Sequence, residues 1–260
     1  MTQRTYLITA SSGIGAETAR RLAQEGARFY LVSRDGKAGR ELAAELEASG
    51  CKAIFHEGDL TDPAVAPAAV KKCVEHFGRI DALFNAAGIS GRRFGDGPVH
   101  ECTEEGWEIT LQTNATTQYR ISREVVNVML TQEPGINGQR GVILNMSSIL
   151  ALDPDARHFS TVAYAASKGA VIAMSRAMAA YYARHRIRVN VIAPGLVRTP
   201  MSARASDDPE IVSYMHDRQP LIEDVISADD VASTCVHLLT DASRATTGQV
   251  IQVDGGWGIA

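Results

Sequence analysis

A short apolar run, Thr5-Tyr6-Leu7-Ile8-Thr9, leads straight into Ala10-Ser11-Ser12-Gly13-Ile14-Gly15, and a helical pattern follows over residues 16–25. A buried strand that ends in a glycine turn and opens a helix is the first half of a βαβ unit. The next strand then lies parallel to the first, with the helix as its crossover. The chain repeats this alternation. Strands are expected over residues 28–33, 52–56, 80–85, 141–146, 187–192 and 250–253, and helices over 38–49, 65–77 and 162–184. Gly26 and Gly50 stand where the first two helices should stop. One long or broken helix is expected over 103–129, with Thr103 as its N-cap. The pattern predicts an α/β fold with a doubly wound parallel sheet. No linker or repeat divides it, so one domain over residues 1–260 is expected. Three stretches read as loops: 90–100, 133–140 and 200–225. The last is long enough to serve as a lid over a site. Ligands of such sheets bind beyond the carboxyl ends of the strands.

Composition narrows the function classes. The 260 residues are 45% hydrophobic and 22% charged, enough for a sizeable core. The formal net charge of −4 gives no overall electrostatic case for nucleic acid or for an anionic membrane. The tightest basic cluster, Arg184, Arg186 and Arg188 around His185, reads as a helix end, where cations suit the dipole. Cys51, Cys73, Cys102 and Cys235 lie far apart without a C-x-x-C pair. They suggest neither a disulfide framework nor a zinc site, and no metal is expected. There is no apolar run of about 18 residues and no signal-peptide pattern before the first strand. A cytoplasmic enzyme is the expectation.

The glycine turn points to a ligand. Glycines at the first βα turn let backbone approach a pyrophosphate, and the helix N-terminus offers unpaired N–H groups and a positive dipole end. Ser11, Ser12, Gly13, Ile14 and Gly15 are therefore candidate phosphate-side residues. The end of the second strand selects the dinucleotide. An acidic residue there would bind a ribose 2′-hydroxyl, whereas this chain has Ser33-Arg34. A guanidinium pairs with a 2′-phosphate and a small Ser leaves room for it, which favours NADP(H). Asp35 follows at once and is available to accept from a ribose hydroxyl, so NAD(H) stays as the alternative.

Tyr164 and Lys168 carry the chemistry. On a helix, residues four apart share a face. A free phenol has a pKa of about 10, and a fixed ammonium beside it favours the phenolate. Lowering that pKa by about 3 units takes roughly 4 kcal/mol and makes the phenol an acid–base group near neutral pH.

Taken together, these pieces resemble the short-chain dehydrogenase/reductase family, in its single-domain form, over nearly the whole length. The likeness runs through Ser11–Gly15, Gly58-Asp59-Leu60, Asn85-Ala86-Ala87-Gly88, Asn114 and Asn145-Met146-Ser147-Ser148. It continues through Tyr164…Lys168, Ala193-Pro194-Gly195-Leu196-Val197-Arg198-Thr199 and Val253-Asp254-Gly255-Gly256. It implies a Rossmann-like fold and hydride transfer between NADP(H) and a ketone or secondary alcohol, with a 3-oxoacyl thioester as one subtype. By resemblance, Tyr164 is the proton donor in reduction. Lys168 lowers its pKa and binds the nicotinamide ribose. Ser148 polarises the carbonyl, and Asn114 holds a relay water. Asp59, with Leu60 beside it, contacts adenine. Asn85, Ala86, Ala87 and Gly88 line the adenosine ribose side, and Pro194, Gly195, Val197 and Thr199 seat the nicotinamide half. The resemblance also implies a homodimer or homotetramer, packed through the small residues of the 162–184 helix.

Three departures from the family pattern stand out. Thr9 occupies the position of the first loop glycine, so either the backbone shifts to fit a β-branched residue or the loop is one residue shorter. Ala86 replaces a second Asn. Ser148 and Tyr164 are 16 residues apart, with a longer intervening loop that contains His158 and should border the substrate pocket. The motif register selects Ser148 over Ser147. Thr9 and the missing Asn motivate the alternative reading, a non-catalytic dinucleotide-sensing or regulatory module of the same fold.

Overall fold

The strands are built from continuous apolar runs, as strands covered on both faces must be. In the computed structural model, which describes residues 4–23, 27–135 and 137–260, they are β1 (Thr5–Ile8), β2 (Arg28–Ser33), β3 (Lys52–Glu57), β4 (Ala82–Asn85), β5 (Gly141–Met146), β6 (Ile187–Pro194) and β7 (Val250–Val253). They form one sheet in the order β3-β2-β1-β4-β5-β6-β7, with every pair parallel. All seven expected strands are present, each within two residues of its predicted bounds. Successive side chains alternate between the faces. Tyr6, Ile8, Phe29 and Leu31 enter one core layer, while Leu7, Tyr30 and Val32 enter the other.

Three helices cover the first face: α1 (Gly13–Ala23), α2 (Gly36–Ala48) and α9 (Ala228–Leu239). They contribute Ala19, Leu22, Leu42, Leu46, Val231 and Leu238. The expected end of the first helix, residues 24–26 with Gly26, lies outside the described residues. The second face is covered by α3 (Val65–Phe77), α5 (Thr117–Thr131) and α6 (Val162–Tyr182). The expected 103–129 helix is broken. Thr103 caps α4 (Glu104–Leu111) by accepting from the Gly106 N–H, and a π-helical segment, Gln112–Thr116, joins α4 to α5. Among the described residues no helix is long and apolar enough to cross a membrane.

Two expectations are corrected here. The 200–225 stretch is largely helical. It holds a 3-10 turn (Pro200–Ser202), α7 (Ala203–Ser206) and α8 (Pro209–Arg218). Ile211 and Met215 of α8 pack with Ile149 and Trp257 in a third apolar cluster, and this burial drives the segment into a helix. Arg188 does not end a helix. It lies in β6, almost wholly buried, and donates to the carbonyls of Leu238, Thr240 and Thr246 and to the side chains of Gln139 and Ser243. Helix C-termini expose unpaired carbonyls, and in this topology they converge at the amino ends of the strands. Arg188 satisfies those of α9, and Arg140 donates to Leu130 and Gln132 at the end of α5. Burial lowers the Arg188 pKa to about 10.

The chain winds outward from β1 to β3 and returns to β4 beside β1. The carboxyl ends of β1 and β4 therefore flank the point where the winding reverses, and a crevice opens there.

Candidate active site

The crevice is a cavity of about 930 Å³ that follows the carboxyl ends of the strands. Beyond β1, its wall is Thr9 and the turn of Ser11, Ser12, Gly13, Ile14 and Gly15. Thr9 has ordinary backbone geometry: among the described residues only Arg186 and Glu223 combine a side chain with positive φ. Its hydroxyl accepts from the Ala86 and Ala87 N–H groups, at 3.1 and 3.3 Å, and so ties the end of β1 to that of β4. The positive φ falls on Gly13, at +55°. A Cβ on Gly15 would sit 2.6 Å from the Ala10 Cβ, so only glycine lets the loop close.

At the adenosine end, Ser33, Arg34, Asp59 and Leu60 line the cavity. The Ser11 hydroxyl donates to Ser33 at 2.8 Å. Arg34 Nη1 lies 3.4 Å from Asp59 Oδ2. Burial pushes the Asp59 carboxyl up, but the Thr61 N–H and hydroxyl, together with Arg34, outweigh it and hold it below its ordinary value. Asp35 also lines the cavity, and it caps α2. Its carboxylate accepts from the Ala38 N–H at 3.0 Å. After β4, Ala86, Ala87 and Gly88 line the groove.

Asn85 and Asn114 stand outside the lining. Asn85 is fully buried, and its amide donates to Ser122 at 2.9 Å and to Asn145 at 2.8 Å, bracing β4 against β5 and α5. Its expected place on the ribose side is corrected: the residue points into the core. Asn114 sits in the π-helical segment. Its amide accepts from the Ile89 N–H at 2.8 Å and donates to the Ile89 carbonyl at 3.0 Å and to Ser167 at 3.1 Å. A π-bulge re-aims side chains. Here it turns Asn114 onto the loop after β4 and onto α6.

Ser148, Tyr164 and Lys168 meet at the opposite end of the cavity. The Ser147 hydroxyl donates to the Lys168 carbonyl at 2.9 Å, and Ser148 hydrogen-bonds Tyr164. That division of labour supports Ser148 as the residue facing the phenol. Lys168 Nζ lies 5.6 Å from the Tyr164 ring centroid and donates to the Met146 carbonyl at 3.0 Å. Lys168 is 2% exposed, and burial lowers its pKa to about 8. Burial pushes the Tyr164 phenol up, and the hydrogen bond with Ser148 acts against it. The expectation credited the downward pull to Lys168; the opposing group here is Ser148. A Cβ on Gly88 would lie 3.0 Å from Asn114 Oδ1, so glycine gives the loop its close approach to the Asn114 amide.

Sequence reading missed the group that positions this pair. Asp96 is buried, and its carboxylate accepts from the Ala163 N–H through Oδ1 and from the Tyr164 N–H through Oδ2, both at 2.9 Å. The Val162 N–H donates to the Gly97 carbonyl. Thr161, at the N-cap position of α6, makes no side-chain cap bond, so the 90–100 stretch caps the helix from about 67 residues away. No local signal marks such a cap. Gln219 is equally cryptic. It is fully buried and clamps Leu196 through its N–H at 2.7 Å and its carbonyl at 3.3 Å, fixing the loop that carries Pro194, Gly195, Val197 and Thr199 along the cavity. His158 lies behind the wall and not on it, 5.0 Å ring to ring from Tyr214.

Fold and site together define a dinucleotide-dependent oxidoreductase class: a phosphate-type glycine turn and a Ser–Tyr–Lys constellation share one crevice of a parallel sheet. A family model described as enoyl-(acyl carrier protein) reductase matches residues 8–258. An A-factor type gamma-butyrolactone 1′-reductase of Streptomyces virginiae is 34% identical, covering 100% of this chain and 97% of that protein. A 2,5-dichloro-2,5-cyclohexadiene-1,4-diol dehydrogenase of Sphingobium indicum is 31% identical over 97% of this chain and 95% of its own. Among solved structures, a short-chain type dehydrogenase/reductase from Mycobacterium ulcerans superposes with a TM-score of 0.89 at 30% identity, covering 98% of this chain and 90% of that one. An actinorhodin polyketide ketoreductase solved with NADPH gives 0.87 at 30% identity, with 99% and 98% covered. The chain belongs to the short-chain dehydrogenase/reductase family and is a hydride-transferring oxidoreductase of that type.

The buried Lys168 has a measurable signature. Its folded pKa of about 8 lies below the ordinary 10.5, so the cost of burying its charge is present in full below pH 8. It is relieved between pH 8 and 10.5, where the folded chain gives up a proton that the unfolded chain keeps. The shift corresponds to about 3 kcal/mol, less about 1 for the lost bond to Met146. The Gln118 amide still donates to the Met146 carbonyl, at 3.0 Å. Lys168→Met should therefore raise the Tm of the cofactor-free protein by about 4 °C at pH 7, and the gain should fade by pH 10.5. A Tm at or below wild type at pH 7 would contradict the assignment.

Proposed function

We propose that this chain is an NADP(H)-preferring oxidoreductase that interconverts a ketone and a secondary alcohol, with Tyr164 as the group that handles the proton. The observation carrying the reading is the meeting of Ser148, Tyr164 and Lys168 in the same cavity as the Ser11–Gly15 turn. The site fits a dinucleotide. Gly15 leaves room where a Cβ would collide with Ala10, Gly13 takes a φ of +55°, and α1 opens with its N-terminus at the turn. Arg34, with Ser33 in place of an acidic residue at the end of β2, supports recognition of a 2′-phosphate. Bound nicotinamide supplies the hydride chemistry.

The chain's own residues do the rest. Ser148 donates toward the substrate oxygen and orients the carbonyl between itself and the phenol. Tyr164 gives its proton to the oxygen in reduction and takes it back in oxidation. The Lys168 ammonium, fixed by Met146, stabilises the phenolate that remains. Asp96 and Asn114 hold α6 so that Tyr164 and Lys168 keep their places. Thr9, together with Ala86 in place of a second Asn, motivates a non-catalytic sensor as the alternative. With Thr9 in ordinary backbone geometry, the catalytic reading is the better supported. The exposed small residues Ala170 and Ala173 on α6 support assembly through that helix.

Tyr164→Phe should lose at least about two orders of magnitude in kcat for carbonyl reduction with NADPH while nucleotide affinity holds, since only the acid–base group is removed. Turnover within about threefold of wild type would end the assignment. In a fluorescence titration NADPH should bind more tightly than NADH, and Arg34→Ala should erase about a tenfold or larger difference, the scale of one charge-assisted phosphate contact. Equal affinities in wild type would remove the case for NADP(H).

A further inference from the structure

The cavity has an uneven charge distribution. Its adenosine end carries Arg34 against Asp35 and Asp59. Its other end, beyond Lys168, carries Arg92, Arg93 and Arg204 and no carboxylate in the wall. Arg92 and Arg93 belong to a 3-10 turn (Arg92–Phe94), and Arg204 to α7, so two segments distant in sequence deliver guanidinium groups to one mouth. Arg92 is partly buried. One of its nitrogens donates to the His158 carbonyl at 2.6 Å. Arg93 lies over the Phe94 ring, 4.7 Å from its centroid. Among the described residues, neither Arg92, Arg93 nor Arg204 forms an ion pair, and Arg204 has no hydrogen-bonding partner. Burial lowers the Arg92 pKa, and the charge of Arg204 lowers it further. The nearby carboxylate, Asp96, is buried and committed to the N–H groups of Ala163 and Tyr164. Like charges brought together in a partly desolvated wall repel, and the arrangement is relieved when an anion enters between them.

The same cavity is lined by the apolar side chains of Ile149, Leu150, Phe159, Leu196 and Trp257. The loop between Ser148 and Tyr164 supplies Phe159, and an interlock holds it in place. Tyr214 donates to Asp155 at 2.7 Å, Arg218 pairs with Asp153 at 3.0 Å, and the Trp257 indole N–H donates to the Asp153 carbonyl at 3.2 Å.

Resting on the reductase reading above, we propose that the substrate is an anion: a carbonyl or carbinol compound whose apolar body lies along Leu150, Phe159 and Trp257 and whose carboxylate or phosphate is held by Arg92 and Arg204. The anionic group has two sources, a carboxylate on a small substrate or the phosphates of a thioester carrier. The guanidinium fork suits both.

Two matched pairs separate these cases: 4-acetylbenzoate against its methyl ester, and acetoacetyl-CoA against the uncharged acetoacetyl-N-acetylcysteamine. Each is assayed for kcat/KM with NADPH. Each is also measured for equilibrium binding to NADPH-loaded Tyr164→Phe, which reads affinity without turnover. The expected result is at least a tenfold preference for the charged member of one pair. Arg204→Gln and Arg92→Gln should each cut that preference at least fivefold, while Arg157→Gln, outside the cavity, leaves the ratio unchanged. Preference in the benzoate pair assigns the anion to a carboxylate, and preference in the thioester pair alone assigns it to carrier phosphate. Arg204 is exposed and unpartnered, so its variant keeps the test sound if Arg92→Gln disturbs the loop. Tyr164-dependent turnover with ratios near one in both pairs overturns the proposal and leaves the reductase reading intact. Charge-selective binding that depends on Arg204, without turnover of any compound, supports the anion site and counts against the reductase reading. No charge preference in binding or in turnover overturns the proposal.

Discussion

A parallel sheet sends every strand in the same direction, and that constraint organises the molecule. Each carboxyl end delivers its following turn to one edge, so Thr9, Ser33, Asp59, Ala86, Ser148 and Pro194, scattered over nearly 190 positions of sequence, line a single cavity. The opposite edge collects the helix C-termini, where Arg140 and Arg188 satisfy carbonyls that would otherwise be buried without donors. The two edges have opposite electrostatic tasks, and the chain assigns different side chains to each.

Within that frame the catalytic helix is held by groups far away in sequence. Asp96 caps its first turn, Asn114 anchors Ser167, and Met146 accepts from Lys168. These bonds fix a buried ammonium next to a phenol. The arrangement costs stability and, on the proposed reading, supplies a cation where negative charge develops. A methionine of similar length would pack there without that cost and, on the proposed reading, would leave the Tyr164 phenolate without its stabilising cation. On that reading the site trades stability for reactivity, as functional sites often do.

Much of this was legible in the sequence because the signals are local. Apolar runs gave the strands, their alternation gave the parallel order, and the residues just after each strand fell at the crevice. Tyr164 and Lys168 were legible because four-residue spacing is a property of one helix. What escaped depends on contacts between distant segments. Asp96 looks like any loop aspartate until the fold sets it against α6. Asn85 and Asn114 are polar residues at family positions, yet both are buried braces: the Asn85 NH2 group donates to Ser122 and Asn145, and the Asn114 amide is bonded at both its oxygen and its nitrogen. The 200–225 stretch has little periodicity of its own and becomes helical because Ile211 and Met215 bury against Ile149 and Trp257. Arg188 reads as one of a basic cluster until strand pairing carries it into the interior.

The central claim is that Lys168 tunes Tyr164 into an acid–base group on this groove. The most direct measurement is an ultraviolet titration of the Tyr164 phenol in NADP⁺-loaded protein, taken as the difference between each background and the same background carrying Tyr164→Phe. With Lys168 present, the phenol should ionise at least about two units below its midpoint in the Lys168→Met background. The same midpoint in both backgrounds would contradict the account.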